Sequence, residues 1–274
     1  LIPSINYLAQ GFFDYIRAVL RSRRLILELT RREFRSRYLG SAFGLMWAFI
    51  QPAVMMAIYF VVFQYGLKAG PVNGVPFFVY LMSGLVPWFL ASDIMSTGSS
   101  VILDNRFLVK KVVFRVSLLP VVRLLTFLPV HLFFVLALGI IFWTEGYRPA
   151  WQTLQIFYYL PALMIIGLGW TWLVSAMMPF FRDLGQFIQV VLQILFFAMP
   201  LIWPISNLSD QHQILMYLNP LYYIIGGYRD AMVEHVWFWQ HPLATIYFWA
   251  WAIALLGVGG TVFLRMQQHF ADVL

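Results

Sequence analysis

Six apolar stretches, near residues 43–67, 77–97, 117–143, 153–180, 184–204 and 243–265, set the terms for this chain. Each is long enough to cross a bilayer as a helix, which takes about 20 residues. Only 11% of the residues are charged, where a soluble domain usually carries about 25%. The expected fold is therefore all-α: a single transmembrane domain over residues 1–274, polytopic, with six transmembrane helices. The connections at 68–76 and 144–152 are short and turn-like, whereas 98–116 is basic and 205–241 is long and mixed.

Lys and Arg gather on the cytoplasmic side of membrane proteins. With the N-terminus inside, that side receives eight arginines before residue 38, then Arg106, Lys110, Lys111, Arg115, Arg123, Arg182 and Arg265, fifteen in all. The other side receives Lys68, Arg148 and Arg229. Both termini are thus expected in the cytoplasm. No cleavable signal is expected, because the first forty residues are dense in Arg and lack a small-residue cleavage site. The chain opens on Leu1 rather than Met, so a few residues are expected to precede it.

Those first forty residues form an element of their own. At about 100° per residue, Arg17, Arg21, Arg24, Glu28, Arg31, Arg32 and Arg35 share one sector of a helix, with Phe12, Ile16, Val19 and Ile26 opposite. A basic stripe against an apolar one, just before a span, describes an amphipathic helix over 8–36, lying in the headgroup plane of the anionic cytoplasmic leaflet. Arg23 and Arg37 fall off the stripe, so a break or bend is expected. Topology and lipid anchoring account for these charges on one reading and substrate entry on another; both stay open.

Chemistry of the usual enzymatic kinds is missing. There is no nucleotide-binding glycine loop, no H-E-x-x-H, no G-x-S-x-G and no dinucleotide fingerprint. Cys is absent and the five histidines are scattered, so no catalytic residue and no metal site is expected. Ionisable groups inside or at the ends of the spans are few: Asp93, Arg123, His131 and the Arg182–Asp183 pair. Arg123 sits where it can snorkel, and a lone mid-span histidine is more often a hydrogen-bonded packing residue than a proton relay. A carrier driven by protons or ions would need more buried charge, and no internal repeat supports such an architecture.

The fifth stretch, "LGQFIQVVLQILFFAMPLIWP", holds three primary amides in a run bound for lipid. Placed on a helical wheel, Gln186, Gln189, Gln193, Phe196, Phe197, Pro200 and Trp203 lie within a sector of about 120°. Amides in hydrocarbon need partners, so this face meets another helix, across a dimer interface for instance, or lines a polar passage. A lining of amides and aromatic faces suits a long sugar chain, offering hydrogen bonds to hydroxyls and stacking to the apolar ring faces. Span one adds a weaker stripe of Trp47, Gln51, Tyr59 and Phe63. The loop "DNRFLVKKVVFRVSLLP" reads as a short amphipathic helix suited to a groove on a soluble partner.

Several segments together resemble the permease subunit of bacterial ATP-binding-cassette exporters for lipid-linked polysaccharides. They are "RSRYLGSAFGLMWAFIQP" (35–52), "SGLVPWFLASDIM" (83–95), "NRFLVKKVVFRVSLLPVV" (105–122), "FFRDLGQFIQVVLQILFFAMPLIWP" (180–204) and "LNPLYY" (218–223). Within that family the chain looks most like O-antigen exporters, with capsule and teichoic-acid exporters as relatives. The resemblance implies a homodimer in the bacterial inner membrane with two copies of a separate cytoplasmic ATPase, which would hold ATP and Mg; this chain itself holds no cofactor. It implies that residues 104–115 are a coupling helix presenting Asp104, Arg106, Phe107, Lys110, Lys111 and Arg115 to that ATPase. Arg35, Arg37 and Tyr38 would then gate entry of a polyprenyl-diphosphate headgroup, and 205–241 would re-enter from outside to gate the exit. A periplasmic protein docking outside is left open, and nothing points to nucleic acid. Rival readings are a drug or small-lipid exporter permease of the same superfamily and, further off, an integral-membrane enzyme of lipid-linked sugars.

Overall fold

The structure is a computed structural model and describes residues 15, 17–37, 43–110 and 115–274. Among these the fold is helical, and strand pairing is confined to an isolated antiparallel bridge between Val72 and Val75 in the 68–76 connection. Five helical stretches are long and apolar enough to cross a membrane: Gly44–Gly66, Phe77–Ser96, Val116–Thr144, Trp151–Met177 and Pro242–Val273. Apolar Leu184–Ala198 is shorter.

In chain order the α-helices are α1 (Arg23–Ser36), α2 (Trp47–Phe60), α3 (Phe77–Ser96), α4 (Val101–Asp104), α5 (Arg106–Val109) and α6 (Leu119–Thr144). They continue with α7 (Ile156–Met177), α8 (Leu184–Ala198), α9 (Asp210–Tyr217), α10 (Pro220–Arg229), α11 (Pro242–Met266) and α12 (Phe270–Val273). Helix α1 follows a bend at Ser22, where the off-stripe Arg23 pointed to one. Helix α2 unwinds into a π-type turn over Val61–Gly66, closed by Leu67 N–H donating to Val62 O at 2.8 Å. Helices α2, α3, α6 and α7 each carry an interior proline, which packed spans tolerate because neighbours pair the freed backbone groups.

A helix that is apolar all round must be surrounded by apolar material on every side. For α3 that material is protein: 78% of its most apolar window is buried, against 11% for α2. Helix α3 is therefore the hub, with Val79, Leu81 and Leu85 fully covered and α6, α7, α8 and α10 around it. Helix α2 stands at the edge. Helices α7 and α11 approach so closely that a Cβ on Gly259 would lie 2.2 Å from the Gly169 carbonyl oxygen, and one on Gly169 would lie 2.7 Å from the Leu255 backbone. Small residues allow such backbone contact between spans, where dispersion rather than water exclusion holds helices together.

The fifth apolar run departs from expectation. Its helix stops at Ala198 instead of continuing to residue 204. Met199 precedes Pro200, whose ring disfavours the helical conformation of the residue before it, and Met199 is extended at φ −81°, ψ 148°. Pro200 and Trp203 thus lie beyond the helix and off the wheel on which they were placed.

Gly259→Ala is expected to lower stability by about 1–3 kcal/mol through overpacking against α7, read as a drop in Tm of the solubilised protein. Gly257→Ala, where a Cβ meets nothing within 4 Å, is the control and should leave Tm unchanged.

Candidate functional site

Helix α8 carries two faces. Ile188, Leu192 and Phe196, spaced by four, are buried at 3%, 5% and 6% exposure and turn toward α3. Gln186, Gln189 and Gln193 are exposed, and none has a hydrogen-bond partner among the described residues. Phe197 is exposed with them. The expectation that the aromatics share the glutamine face fails for Phe196. Its ring lies between Tyr59 of α2, stacked at 4.8 Å, and Trp88 of α3 at 5.8 Å. The reason is phase: continuing the 188–192 stripe by four residues delivers Phe196 to the core. The same stack sets α2 beside α8. Gln51 is exposed on α2, while Tyr59 and Phe63 are half-buried, Phe63 leaning on Phe77 at 6.4 Å. Uncharged amides without internal partners can both donate to and accept from hydroxyl groups.

Beyond the end of α8, the carbonyls freed by Pro200 are collected by two side chains from elsewhere. Arg229, at the end of α10, donates to Pro200 O at 2.8 Å and Leu201 O at 3.0 Å. Its guanidinium stands over the Tyr80 ring at 3.8 Å, and the Tyr80 hydroxyl donates to Trp203 O at 2.9 Å. Trp203 is half-buried and its indole N–H donates to Phe197 O at 3.0 Å, closing the helix end rather than lining a passage. Arg229, counted above as an outer topological charge, is 6% exposed. Room for it comes from Gly84, where a Cβ would lie 2.7 Å from Nη2. Helix α10 starts at Asn219, whose side chain accepts from Leu221 N–H, followed by Pro220 in the first turn. Both choices suit a helix start.

At the other end of the bundle, α1 lays Ile26 against Leu118 and Val122 at the start of α6. Its arginines 24, 31, 32 and 35 and Glu28 are exposed, as the stripe predicts, and Arg37 is exposed with its guanidinium 5.1 Å from the Phe127 ring centre. Tyr38, Phe12, Ile16 and Lys111 fall outside the described residues. Arg123 does not snorkel. It is 6% exposed and turned inward between two carboxylates: Nε stands 2.5 Å from Glu33 Oε1, an ion contact without hydrogen-bond alignment, and Nη2 donates to Asp104 Oδ2 at 2.7 Å. Burial pushes the Glu33 carboxyl above the usual carboxylate range, and the charge of Arg123 pulls it back only in part.

Within the expected 104–115 coupling helix, Asn105 separates the single turns α4 and α5 and Arg115 is extended, while 111–114 lie outside the described residues. Asn105 bonds its side-chain amide to Val101 O at 3.0 Å, the local competition with helix that makes Asn a breaker. Arg106, Phe107, Lys110 and Arg115 are exposed. Asp104, expected to face a partner, instead faces Arg123 and accepts from Ser100. His131 is a packing residue, its Nε2 2.8 Å from the Tyr228 hydroxyl. Asp93 borders a cleft between α2, α3 and α6, with Pro52, Met56 and Phe127. Among the described residues no group of three or more His, Cys, Asp or Glu is placed to hold a metal ion.

A sequence profile described as "ABC-2 type transporter" matches residues 24–233, from α1 to just beyond α10. The chain belongs to the ABC-2 type transporter family. This ABC-2 type transporter is 29% identical over 266 residues to the O-antigen export system permease protein RfbA of Myxococcus xanthus, covering 94% of this chain and 98% of the relative. Its similarity to the Klebsiella pneumoniae protein of the same name is 22% over 261 residues, covering 91% and 95%. The polysialic acid transport protein KpsM of Escherichia coli is 23% identical over 203 residues, 74% of this chain and 78% of that one. The resemblance drawn from the motifs is borne out. ABC-2 permeases are multi-pass membrane proteins that work with ATPase partners, so this chain is a transport subunit.

Two measurements test the geometry. Phe196→Ala should cost about 3–5 kcal/mol, the usual range for a buried aromatic, while Phe197→Ala should stay within about 0.5 kcal/mol, both by thermal unfolding in detergent. Arg229→Met and Gly84→Ala should each lower stability by about 1–3 kcal/mol, because both leave the 200–201 carbonyls short of donors. The double variant should cost less than the sum, since the two changes break one interaction.

Proposed function

We propose that this chain is the transmembrane subunit of an ATP-driven exporter that moves a polyprenyl-diphosphate-linked polysaccharide of the O-antigen type from the cytoplasm to the periplasm. The observation that carries this reading is the exposed face of α8, where Gln186, Gln189 and Gln193 have no hydrogen-bond partner among the described residues. Apolar surroundings do not leave three amides unpaired. A second copy apposing α2 and α8 encloses a passage lined by these amides, Gln51 and Phe197, matched to hydroxyl-rich polymer. Phe196 has no part in that lining. The names of the relatives support a polysaccharide as cargo, O-antigen first and capsule-type polymer second.

In this reading the subunit has six spans, the short α8 completing its crossing through the 199–204 segment. It works as a homodimer in the bacterial inner membrane with both termini inside. Two cytoplasmic ATPase subunits bind ATP and Mg and dock on the basic segment around Arg106, Phe107, Lys110, Lys111 and Arg115. The basic helix α1, with Arg35, Arg37 and the adjoining Tyr38, receives the diphosphate headgroup; Arg suits this through its bidentate donors. Residues 205–241 dip back from the outer side and gate the exit. No covalent bond is made or broken in this chain.

The test is Gln189→Leu with Gln193→Leu, with the partner ATPase coexpressed. The complex should assemble and hydrolyse ATP while surface glycan falls by about tenfold or more, the loss expected for about 1.4 kcal/mol of differential interaction. Failure to assemble would show instead that the amides hold helices together across the copies.

A further inference from the structure

Arg123 stands at a junction that the transport reading leaves unused. Helix α4 and the turn after it rest on one apolar cluster, where Val101, Ile102 and Val109 pack with Trp172 and Phe263 at the inner ends of α7 and α11. Helix α1 rests on another, through Ile26 against Leu118 and Val122. The start of α6 touches both clusters, and one turn further on Arg123 receives a carboxylate from each side: Asp104 from the loop and Glu33 from α1. Arg37 is the third charge acting on Glu33, so the four groups sum to zero, two guanidiniums against two carboxylates.

An ion group centred on one buried guanidinium, with Asp104 45% exposed, is a poor device for stability alone, because desolvating Arg123 offsets much of the attraction. What it supplies is a directional bond between parts that move. The Asp104 side chain points to Arg123, while Arg106 and Phe107, two and three residues on, face outward, Phe107 at 72% exposure. Asn105 alone separates Asp104 from Arg106, so a partner bearing on Arg106 and Phe107 acts within three residues of the carboxylate that holds Arg123.

We propose that Arg123 is a positioning residue for energy coupling, carrying displacement of the Asp104 loop to the amphipathic helix α1 through Glu33. The inference rests on the reading that an ATPase docks around Arg106 and Phe107. It assigns α1 a motion timed by the ATPase, so that the cytoplasmic entry opens and closes with the nucleotide cycle.

The chain has no Cys, so a single Leu27→Cys on the exposed side of α1, where Leu27 is 65% exposed, accepts an environment-sensitive fluorophore. The labelled protein is assembled with its coexpressed ATPase in lipid nanodiscs, and the change in emission on adding ATP is recorded beside ATP hydrolysis. The response should fall by at least about fivefold, a usual size for coupling between sites, in both Glu33→Gln and Asp104→Asn, with hydrolysis retained. Asp104→Glu should keep most of it. A response intact in both amide variants overturns the proposal, as does a wild-type complex whose probe ignores ATP. Should the amide variants fail to assemble, the charge-free triple Glu33→Leu, Asp104→Leu, Arg123→Met decides: an assembled but silent complex supports the linkage, and a responsive one overturns it. Glycan export is read separately. A wild-type complex whose probe moves but exports no polysaccharide defeats the cargo assignment and leaves the linkage standing.

Discussion

Everything in this fold answers to one constraint: a backbone carbonyl surrounded by hydrocarbon must have a donor. Most carbonyls find it in the helix to which they belong. The exceptions sit beyond Ala198, where Pro200 ends α8 and leaves Pro200, Leu201 and Trp203 with exposed acceptors. Arg229 and Tyr80 supply the missing donors. That requirement places α10 against the hub helix α3, demands a glycine at position 84, and fixes where the chain leaves α8. A positive charge fully inside the protein is tolerated there because it faces carbonyl oxygens and the negative face of an aromatic ring.

The end of the bundle that carries α1 uses charge differently. Arg123 is held by carboxylates from two elements far apart in the chain, and burial works against Glu33 ionisation even as the guanidinium favours it. Such a group is strong only while all its members are in place. The Arg229 clamp ties a break in one helix to a neighbouring helix, and the Arg123 clamp ties a loop to a surface helix. Between them α3 and the α7–α11 pair form a packed frame, with α2 at its edge and the glutamines of α8 exposed.

Much of this was legible in the chain itself. Apolar runs longer than 20 residues have one solution in a membrane-sized medium, so the long spans come within a few residues of their helices. Within α1 the basic residues 24, 31, 32 and 35 stay exposed and Ile26 is buried, because i, i+3 and i+4 spacing is local geometry. Phe196 and Trp203 were misplaced for opposite reasons. The helical wheel ran past Pro200, where it no longer applied to Trp203. For Phe196 it was valid, but it could not tell which sector faces the protein; only the contacts with Tyr59 and Trp88 decide that.

By itself, then, the sequence determined the medium, the helical class, the family, and which residues are amides or cations in an apolar setting, since each follows from composition and local spacing. Tertiary structure alone decided that Arg229 and Arg123 are buried clamps rather than topological charges, and that Asp104 is bonded to Arg123. Their partners lie at Pro200 and Leu201, Glu33 and Asp104. No local pattern encodes a contact between segments distant in the chain; it exists only once packing has brought donor and acceptor within about 3 Å of each other.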